Sequence, residues 1–217
     1  RLRGGDSAVA AEALPLPVGW RRVGIRRSAG TVSIPAAGGL DFGGIAKGYA
    51  LDRAARVLLQ RGFPSALLDA GGQILAVGHP GSQVGWEVAV ADPTDRTKPV
   101  FPIVLRDVSM ATSGNSERPG EIFDPQSGRS VPGRYSAVSF ATDATSADAL
   151  STALFVMGPQ RGEQWARTRT DCLAMFLEPA QEAGESLRVR GTLPRMSPGH
   201  FLFITGERAG NRSVHAE

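Results

Sequence analysis

A glycine pair at the entrance to a helix organises the chain. The stretch Leu40-Asp41-Phe42-Gly43-Gly44-Ile45-Ala46-Lys47-Gly48-Tyr49-Ala50-Leu51-Asp52 begins as a short apolar approach carrying Asp41. It turns on Gly43 and Gly44, passes Lys47 and runs on with helical periodicity. Ala50, Ala54, Val57 and Leu58 recur at i, i+4, i+7 and i+8, which predicts one apolar helix face. Asp52 and Arg56, four apart on the other side, read as an exposed ion pair, and Gly62 stands where a left-handed C-cap ends such a helix. A Gly-Gly turn lets backbone approach a ligand closely, and the first amides of a helix favour anions. The outline is that of a phosphate site, yet neither common nucleotide motif fits. Lys47 is followed by Gly48 where a P-loop needs Ser or Thr, and Gly43, Gly44 and Gly48 are wrongly spaced for a dinucleotide fingerprint. Taken alone, the stretch is equally a glycine-rich turn with a solvated lysine.

The rest of the chain narrows the classes. Its 217 residues allow one large domain or two small ones, and 41% hydrophobic content is enough to bury a core. The net charge of +3 comes from dispersed arginines with no basic run interleaved with aromatics, which argues against nucleic-acid binding. Cys172 lies in Cys-Leu-Ala-Met-Phe-Leu, a buried-strand pattern, and reads as an inert core thiol. A single cysteine makes no internal disulfide, and His79, His200 and His215 are too scattered for a metal pattern. No apolar run reaches the length of a membrane span, and no signal peptide is visible in a chain that starts at Arg1.

Along the chain, residues 1–19 read as an irregular lead-in. Arg21 to Ile34 reads as a hairpin around Ser28-Ala29-Gly30. Ala66 to Asp69 predicts a short buried strand, turned by Ala70-Gly71-Gly72 into a second strand at Gln73 to Val77. Trp86, Val88 and Val90 alternate as a half-buried strand, with Pro99 to Leu105 as its hairpin partner. Met110-Ala111-Thr112-Ser113-Gly114 leads into a polar loop and the turn-rich Phe123-Asp124-Pro125-Gln126-Ser127-Gly128. A strand at Tyr135 to Ala141 precedes a helix capped by Thr145 or Ser146 and ended by Gly158, with Pro159 starting another. Cys172–Glu178, Arg188 to Arg190 and Phe201–Ile204 read as closing strands, and residues 207–217 as a tail. With no dividing linker, the expectation is one α+β domain over 20–206, its sheets mostly antiparallel and packed with helices.

The second helix carries the sharper chemistry. Asp148 and Thr152 are i and i+4, so a carboxylate and a hydroxyl share a face about 5–6 Å apart, with Leu150, Leu154 and Met157 available for the core side. Hard oxygens of this kind suit Mg2+, which takes few protein ligands and completes its shell with phosphates and water. Equally, an aspartate in a first turn can simply complement the helix dipole, and a helical threonine can bond back to its own backbone.

Five segments occur in order: Asp41 to Asp52, Leu68-Asp69-Ala70-Gly71-Gly72, Ala111-Thr112-Ser113-Gly114, Ile122 to Gly128, and Ala147-Asp148-Ala149-Leu150-Ser151-Thr152-Ala153. Over residues 20–178 this series closely resembles the ApbE-type flavin transferases, the FAD:protein FMN transferases. The resemblance implies a Mg2+-dependent enzyme that splits the pyrophosphate of FAD, moves FMN to a Thr or Ser hydroxyl of a target flavoprotein and releases AMP. It implies that the Gly44 carbonyl and the side chains of Asp148 and Thr152 hold the metal, and that Asp41 and Lys47 contact FAD. Ile122 would line the flavin pocket through its backbone, and Gly71 and Gly72 would pack beside the nucleotide. The acceptor would be a protein subunit of a redox complex carrying an Asp-x-x-x-Ser/Thr-like motif. Many members work outside the cytoplasm, which makes a periplasmic or membrane-associated location the expectation. The chemistry is coherent, since magnesium and a lysine neutralise charge developing on phosphoryl oxygens.

Two departures stand out. The family's His-x-x-Asp-Pro, whose histidine is a base for the acceptor hydroxyl, is Glu121-Ile122-Phe123-Asp124-Pro125 here. Glu121 can take that catalytic role beside Asp148 as a general base, or stand as an inert loop acid. Family members also carry a substantial N-terminal portion ahead of the Asp41 segment, so the chain reads as the C-terminal portion of the family domain. Two alternatives follow: an FAD pyrophosphatase that yields free FMN and AMP, or an incomplete, non-catalytic flavin-binding paralogue.

Overall fold

The computed structural model describes residues 19–36, 38–116, 119–179, 187–192 and 201–204. Nearly all of the lead-in expected at 1–19, and the tail expected at 207–217, lie outside these residues. A hairpin of Gly24–Arg26 (β1) and Thr31–Ser33 (β2) precedes the first helix, Ala46–Gln60 (α1). Next come Ala66–Ala70 (β3), Gln73–Val77 (β4), Trp86–Ala91 (β5), Pro99–Arg106 (β6), Val108–Gly114 (β7) and Ser136–Ala141 (β8). The second helix, Ala144–Ala166 (α2), is followed by Cys172–Glu178 (β9), Arg188–Gly191 (β10) and Phe201–Ile204 (β11). Six strands form one sheet in the order β10-β9-β8-β7-β4-β3, and β11-β6-β5 form a second. Every recorded strand pair is antiparallel. The α+β expectation holds.

The large sheet is a middle layer. Val138, Phe140, Leu173, Met175 and Leu177 on one face meet Val90, Ile103 and Leu105 of the small sheet in a single buried cluster. On its other face, Ala137, Ala174 and Phe176 meet Leu154 and Phe155 of α2, while Leu75 meets Leu51 and Ala55 of α1. β8 shows how the pleat sorts these contacts. Its large residues, Val138 and Phe140, face the small sheet, while Ala137 and Ala141 face the helices. Small side chains let α2 lie close: Ala111, Ala141 and Ala147 form a cluster of their own, and the Ser139 hydroxyl donates to the Ala147 carbonyl. Phe140, Phe155 and Phe176 are fully buried, each stabilising by about 1.5–3 kcal/mol over exposure.

Several local expectations change. The buried face of α1 is Gly48, Leu51 and Ala55, whereas Ala50 and Val57 are exposed. The helix settles by its backbone at Gly48, so the larger apolar side chains do not mark the inner face. Asp52 is no surface ion pair. Its carboxylate accepts the Ala144 amide at 2.8 Å, the Thr145 amide at 2.9 Å and the Thr145 hydroxyl, and so satisfies the opening amides of α2. The α2 N-cap is Asp143, which accepts the Ser146 amide at 2.7 Å; neither Thr145 nor Ser146 fills that place. Its buried residues include Ala144, Ala147, Asp148, Ser151, Leu154 and Phe155, with Leu150 and Met157 on the half-buried flanks. At Gly158 the backbone leaves helical geometry (φ 77, ψ 168), so α2 is two helical segments meeting at a kink, with the stop at Gly158 and the restart at Pro159 as read.

β3 is half-buried rather than buried, and β7, read only as a lead into a loop, is a full interior strand between β4 and β8. The Gly62 stop is as read: its φ is 84, its amide donates to Leu59 at 3.1 Å, and Phe63 donates to Leu58 at 3.0 Å, a Schellman ending. Among the described residues, no helix is long and apolar enough to cross a membrane.

Candidate active site

The site forms where the N-terminus of α1 meets the first turns of α2. Gly48 makes the meeting possible: a Cβ there would stand 2.1 Å from the Ala144 carbonyl oxygen, inside the backbone of the neighbouring helix. That close crossing brings the Gly48 amide to Asp148. The amide donates to Asp148 Oδ2 at 3.0 Å, and Lys47 Nζ lies 3.3 Å from Oδ1. Asp148 is only 3% exposed, while the Lys47 side chain remains half open to solvent. An isolated buried carboxylate costs several kcal/mol, and here a helix-start amide and an ammonium offset that cost. The same carboxylate offsets the unfavourable placing of a lysine in a helix first turn.

Thr152 follows one turn along the same helix face. The position of a Cβ added to Gly44 falls 3.1 Å from Thr152 Oγ1, so this second glycine leaves the hydroxyl accessible from the α1 side. Gly44, Lys47, Asp148 and Thr152, far apart in sequence, are therefore brought together. Their donors are all oxygens apart from the lysine, and among the described residues no three His, Cys, Asp or Glu side chains cluster as a metal cage. One carboxylate, one hydroxyl and a backbone carbonyl at a glycine fit a hard cation that keeps water and phosphate in its shell. Beneath Thr152, Ser113 Oγ of β7 lies 3.3 Å from Thr152 Oγ1 and 2.8 Å from Ser151 Oγ. The role of this hydroxyl group was not read from the sequence, although Thr112-Ser113-Gly114 stood out there.

The remaining expected residues lie around this centre. Asp41 is exposed and turns back on its own loop, accepting the Gly43 amide at 2.7 Å. Gly71 (φ 63) and Gly72 (φ 86) form the two-residue turn between β3 and β4, where both positions require a left-handed backbone. Asp69 accepts the Gly72 amide at 2.8 Å, and Arg96 donates to the Gly71 carbonyl at 3.1 Å. Gly72, Asp69, Arg96, Thr112, Gly114 and Ser136 line a cavity of about 220 Å³. Strand alternation thus places Thr112 and Gly114 on the cavity and Ser113 against α2. No recorded hydrogen bond joins Gly71 or Gly72 to Asp148; the nearest link is Gln73, whose amide donates to the Ala144 carbonyl at 2.8 Å.

Glu121 is exposed in the loop after β7, and Ile122 packs against the buried cluster that holds Val131, Leu154, Phe155 and Phe176, while its carbonyl accepts the Val131 amide at 2.8 Å. The following turn is built on Asp124, which accepts the Gln126 amide at 2.8 Å and the Ser127 hydroxyl at 3.1 Å. Those bonds, the Gln126 amide foremost, hold the Asp124 carboxyl below its ordinary range. Asn115 steadies the loop from the other side by donating to the Val131 and Gly133 carbonyls at 3.0 and 3.1 Å. Cys172 is buried, and burial pushes its thiol upward, as an inert core cysteine requires.

Comparison with known proteins matches the chain to a family. A model of the ApbE family matches residues 4–177. The FAD:protein FMN transferase of Klebsiella pneumoniae is 29% identical over 179 residues, covering 78% of this chain and 49% of that protein. That of Treponema pallidum is 35% identical over 168 residues, covering 69% and 46%. Among solved structures, the ApbE protein of Thermotoga maritima superposes with a TM-score of 0.67 at 31% identity, over 78% of this chain and 57% of that one. The flavin transferase ApbE of Vibrio cholerae gives 0.66 at 27% identity, over 80% and 56%. The chain spans about half the length of the curated relatives it matches. A family match over most of the chain, carried by the same fold in solved structures, means that this chain belongs to the ApbE family.

Proposed function

We propose that this chain carries the phosphoryl-transfer site of an FAD:protein FMN transferase, which moves FMN from FAD to a Thr or Ser hydroxyl of a protein acceptor with release of AMP. The observation that carries this reading is the buried Asp148, held between the Gly48 amide and Lys47 and set beside Gly44 and Thr152. Asp148, Thr152 and the Gly44 carbonyl would hold Mg2+, which when bound supplies neutralisation of the charge developing on the phosphoryl oxygens. Lys47 adds a mobile ammonium at the same place, and its half-open side chain can turn from Asp148 to a phosphate. The Ala46 amide is taken by the Phe42 carbonyl and the Gly48 amide by Asp148, so α1 favours the anionic pyrophosphate through the positive end of its dipole rather than through a set of open amides. Asp41 is assigned to FAD, the Ile122 backbone to the flavin pocket, and Gly71 and Gly72 to the nucleotide beside the cavity. That cavity is smaller than a pocket for a whole drug-sized ligand, so it would take only part of the dinucleotide.

In the reaction the acceptor oxygen forms a bond to the FMN phosphorus, the bond to the bridging pyrophosphate oxygen breaks, and AMP leaves. Glu121, exposed where an acceptor can reach it, is assigned to take the hydroxyl proton.

The test uses the intact protein with FAD, Mg2+ and a redox-complex acceptor subunit. Fluorescent flavin that stays on the denatured acceptor, with AMP released in equal amount, supports transfer; free FMN and AMP without labelling points to the pyrophosphatase instead. Asp148→Asn is expected to cut labelling by at least about a hundredfold, in line with the loss of a charged transition-state contact. Its folding is checked by circular dichroism. Labelling at the wild-type rate in that variant would overturn the site assignment.

A further inference from the structure

Counting hydroxyl protons around Thr152 gives a direction to the bonds beneath it. The Ser151 hydroxyl donates to the Asp148 backbone carbonyl at 2.9 Å, and a carbonyl can only accept, so the Ser151 proton is committed there. The 2.8 Å contact between Ser113 Oγ and Ser151 Oγ must then run from Ser113 to Ser151. With its own proton used, Ser113 can meet Thr152 Oγ1 at 3.3 Å only as an acceptor. The other acceptor within reach of the Thr152 hydroxyl is the Asp148 carbonyl at 3.5 Å, which already takes Ser151. Both arrangements turn the Thr152 proton toward β7 or its own helix, leaving its lone pairs for the Gly44 side.

We infer that Ser113 and Ser151 are positioning residues that polarise the Thr152 hydroxyl into a pure acceptor for the cation. This inference rests on the metal reading of Gly44, Asp148 and Thr152 proposed above. A hydroxyl ligates a cation through oxygen, so its proton needs an acceptor elsewhere, and partners outside the ligand shell set ligand orientation and strength. The route runs from Thr152 to Ser113, to Ser151, to the Asp148 carbonyl. It ties the orientation of one ligand to the backbone of the residue that supplies another. It also places a strand residue, Ser113, in control of a site otherwise built from α1 and α2. Ser113 is suited to this because the neighbouring Thr112 and Gly114 point the other way, into the cavity.

The experiment is a calorimetric titration of Mg2+ into the intact protein and its variants, with melting temperature recorded for each. Ser113→Ala is expected to weaken Mg2+ binding by about tenfold, the lower end of losses at partners behind metal ligands. Ser151→Ala is expected to weaken it as well without loss of helix stability, because the Ser113 proton, released from Ser151, turns toward Thr152 and competes with the cation. In a Thr152→Val background neither substitution should change affinity further. Wild-type protein that fails to bind Mg2+ would overturn the metal reading itself. Binding by the wild type with unchanged affinity in both serine variants would overturn only the positioning role. Losses that persist undiminished in the Thr152→Val background would do the same, because the serines would then act by another route.

Discussion

Gly48 carries two jobs on one backbone position. Its missing side chain lets α1 touch the Ala144 carbonyl, and its amide, brought in by that contact, donates to Asp148 at 3.0 Å. A Cβ at residue 48 would also meet the Ala144 carbonyl carbon at 2.5 Å and Thr145 Cα at 2.8 Å, all of it helix backbone that cannot rotate aside. Gly48→Ala should therefore force the helices apart and destabilise the protein by about 1–3 kcal/mol, the usual range for overpacking. For a chain of this size that is a fall of roughly 2–4 °C per kcal/mol in melting temperature. On the metal reading proposed above, the same variant should also bind Mg2+ more weakly, because Asp148 is left without its amide donor. Gly43→Ala is the control: the nearest atom to its added Cβ is Asp41 Oδ1 at 3.1 Å, on an exposed side chain that can shift by a few tenths of an ångström while keeping its bond to the residue 43 amide. Its stability should stay within about 0.5 kcal/mol of wild type, as for ordinary surface changes, which is about 1–2 °C in melting temperature. Equal melting temperatures for the two variants would show that the helix crossing is not held by residue 48.

At the scale of elements, the bend in α2 matters most. Pro159 has no N–H to return to the Phe155 carbonyl, and Gly158 leaves the helical region altogether. The Tyr135 hydroxyl fills the gap, donating to the Phe155 carbonyl at 2.6 Å while its ring stacks on Phe155 with centroids 4.8 Å apart. Burial, with Glu178 nearby, pushes the Tyr135 phenol upward, so it stays a donor across the physiological range. Tyr135→Phe keeps the ring and removes the donor, with an expected cost of about 1 kcal/mol, read as a lower melting temperature. No change on thermal melting would mean that solvent already satisfies the carbonyl. The bend itself was legible, since Gly158-Pro159 is a stop and a start in any helix. The inner faces of both helices were not. Beside the large Leu51, Leu154 and Phe155, of which Leu154 was read as core-side, the buried positions include Gly48, Ala144, Ala147, Asp148 and Ser151, which a search for large apolar residues passes over. β7 was missed for the same reason: Ala111 and Ser113 are small where α2 lies against them, and Thr112 and Gly114 face the cavity, so no large apolar residue marks its C-terminal half. Of the candidate metal site, Asp148 and Thr152 were legible as an i, i+4 oxygen pair, but their union with Gly44 was legible only as a family pattern, because nothing in local periodicity brings Gly44 to Thr152.

Across the whole molecule, the site is framed by loops tied down through carboxylates, and this makes its surroundings sensitive to acid before its core. Asp124 is held low chiefly by the Gln126 amide and shapes the turn after Glu121 and Ile122. At Asp92, burial opposes ionisation, but the Thr94 hydroxyl, the amides of Thr94 and Asp95 and the charge of Lys98 outweigh it and lower its pKa. That aspartate shapes the loop from which Arg96 reaches the Gly71 carbonyl. A carboxyl whose folded pKa is depressed contributes stability that is complete above its unfolded value and is lost as pH falls through the folded one. Both loops should therefore hold at neutral pH and loosen only below the ordinary carboxyl value of 3.8. The interior built on Phe140, Phe155 and Phe176 has no such dependence. Hydrogen exchange followed by mass spectrometry from pH 7 toward pH 3, corrected for the intrinsic pH dependence of exchange, should show protection falling first in residues 122–130 and 92–98. Peptides from β8 and β9 should keep theirs. Asp124→Asn retains an acceptor for the Gln126 amide but cannot titrate, so in that variant protection over 122–130 should be weaker at neutral pH and nearly independent of acid. If residues 122–130 in Asp124→Asn lose protection at the same pH as in wild type, the acid response belongs to another group, and Asp124 does not hold the loop that presents Glu121.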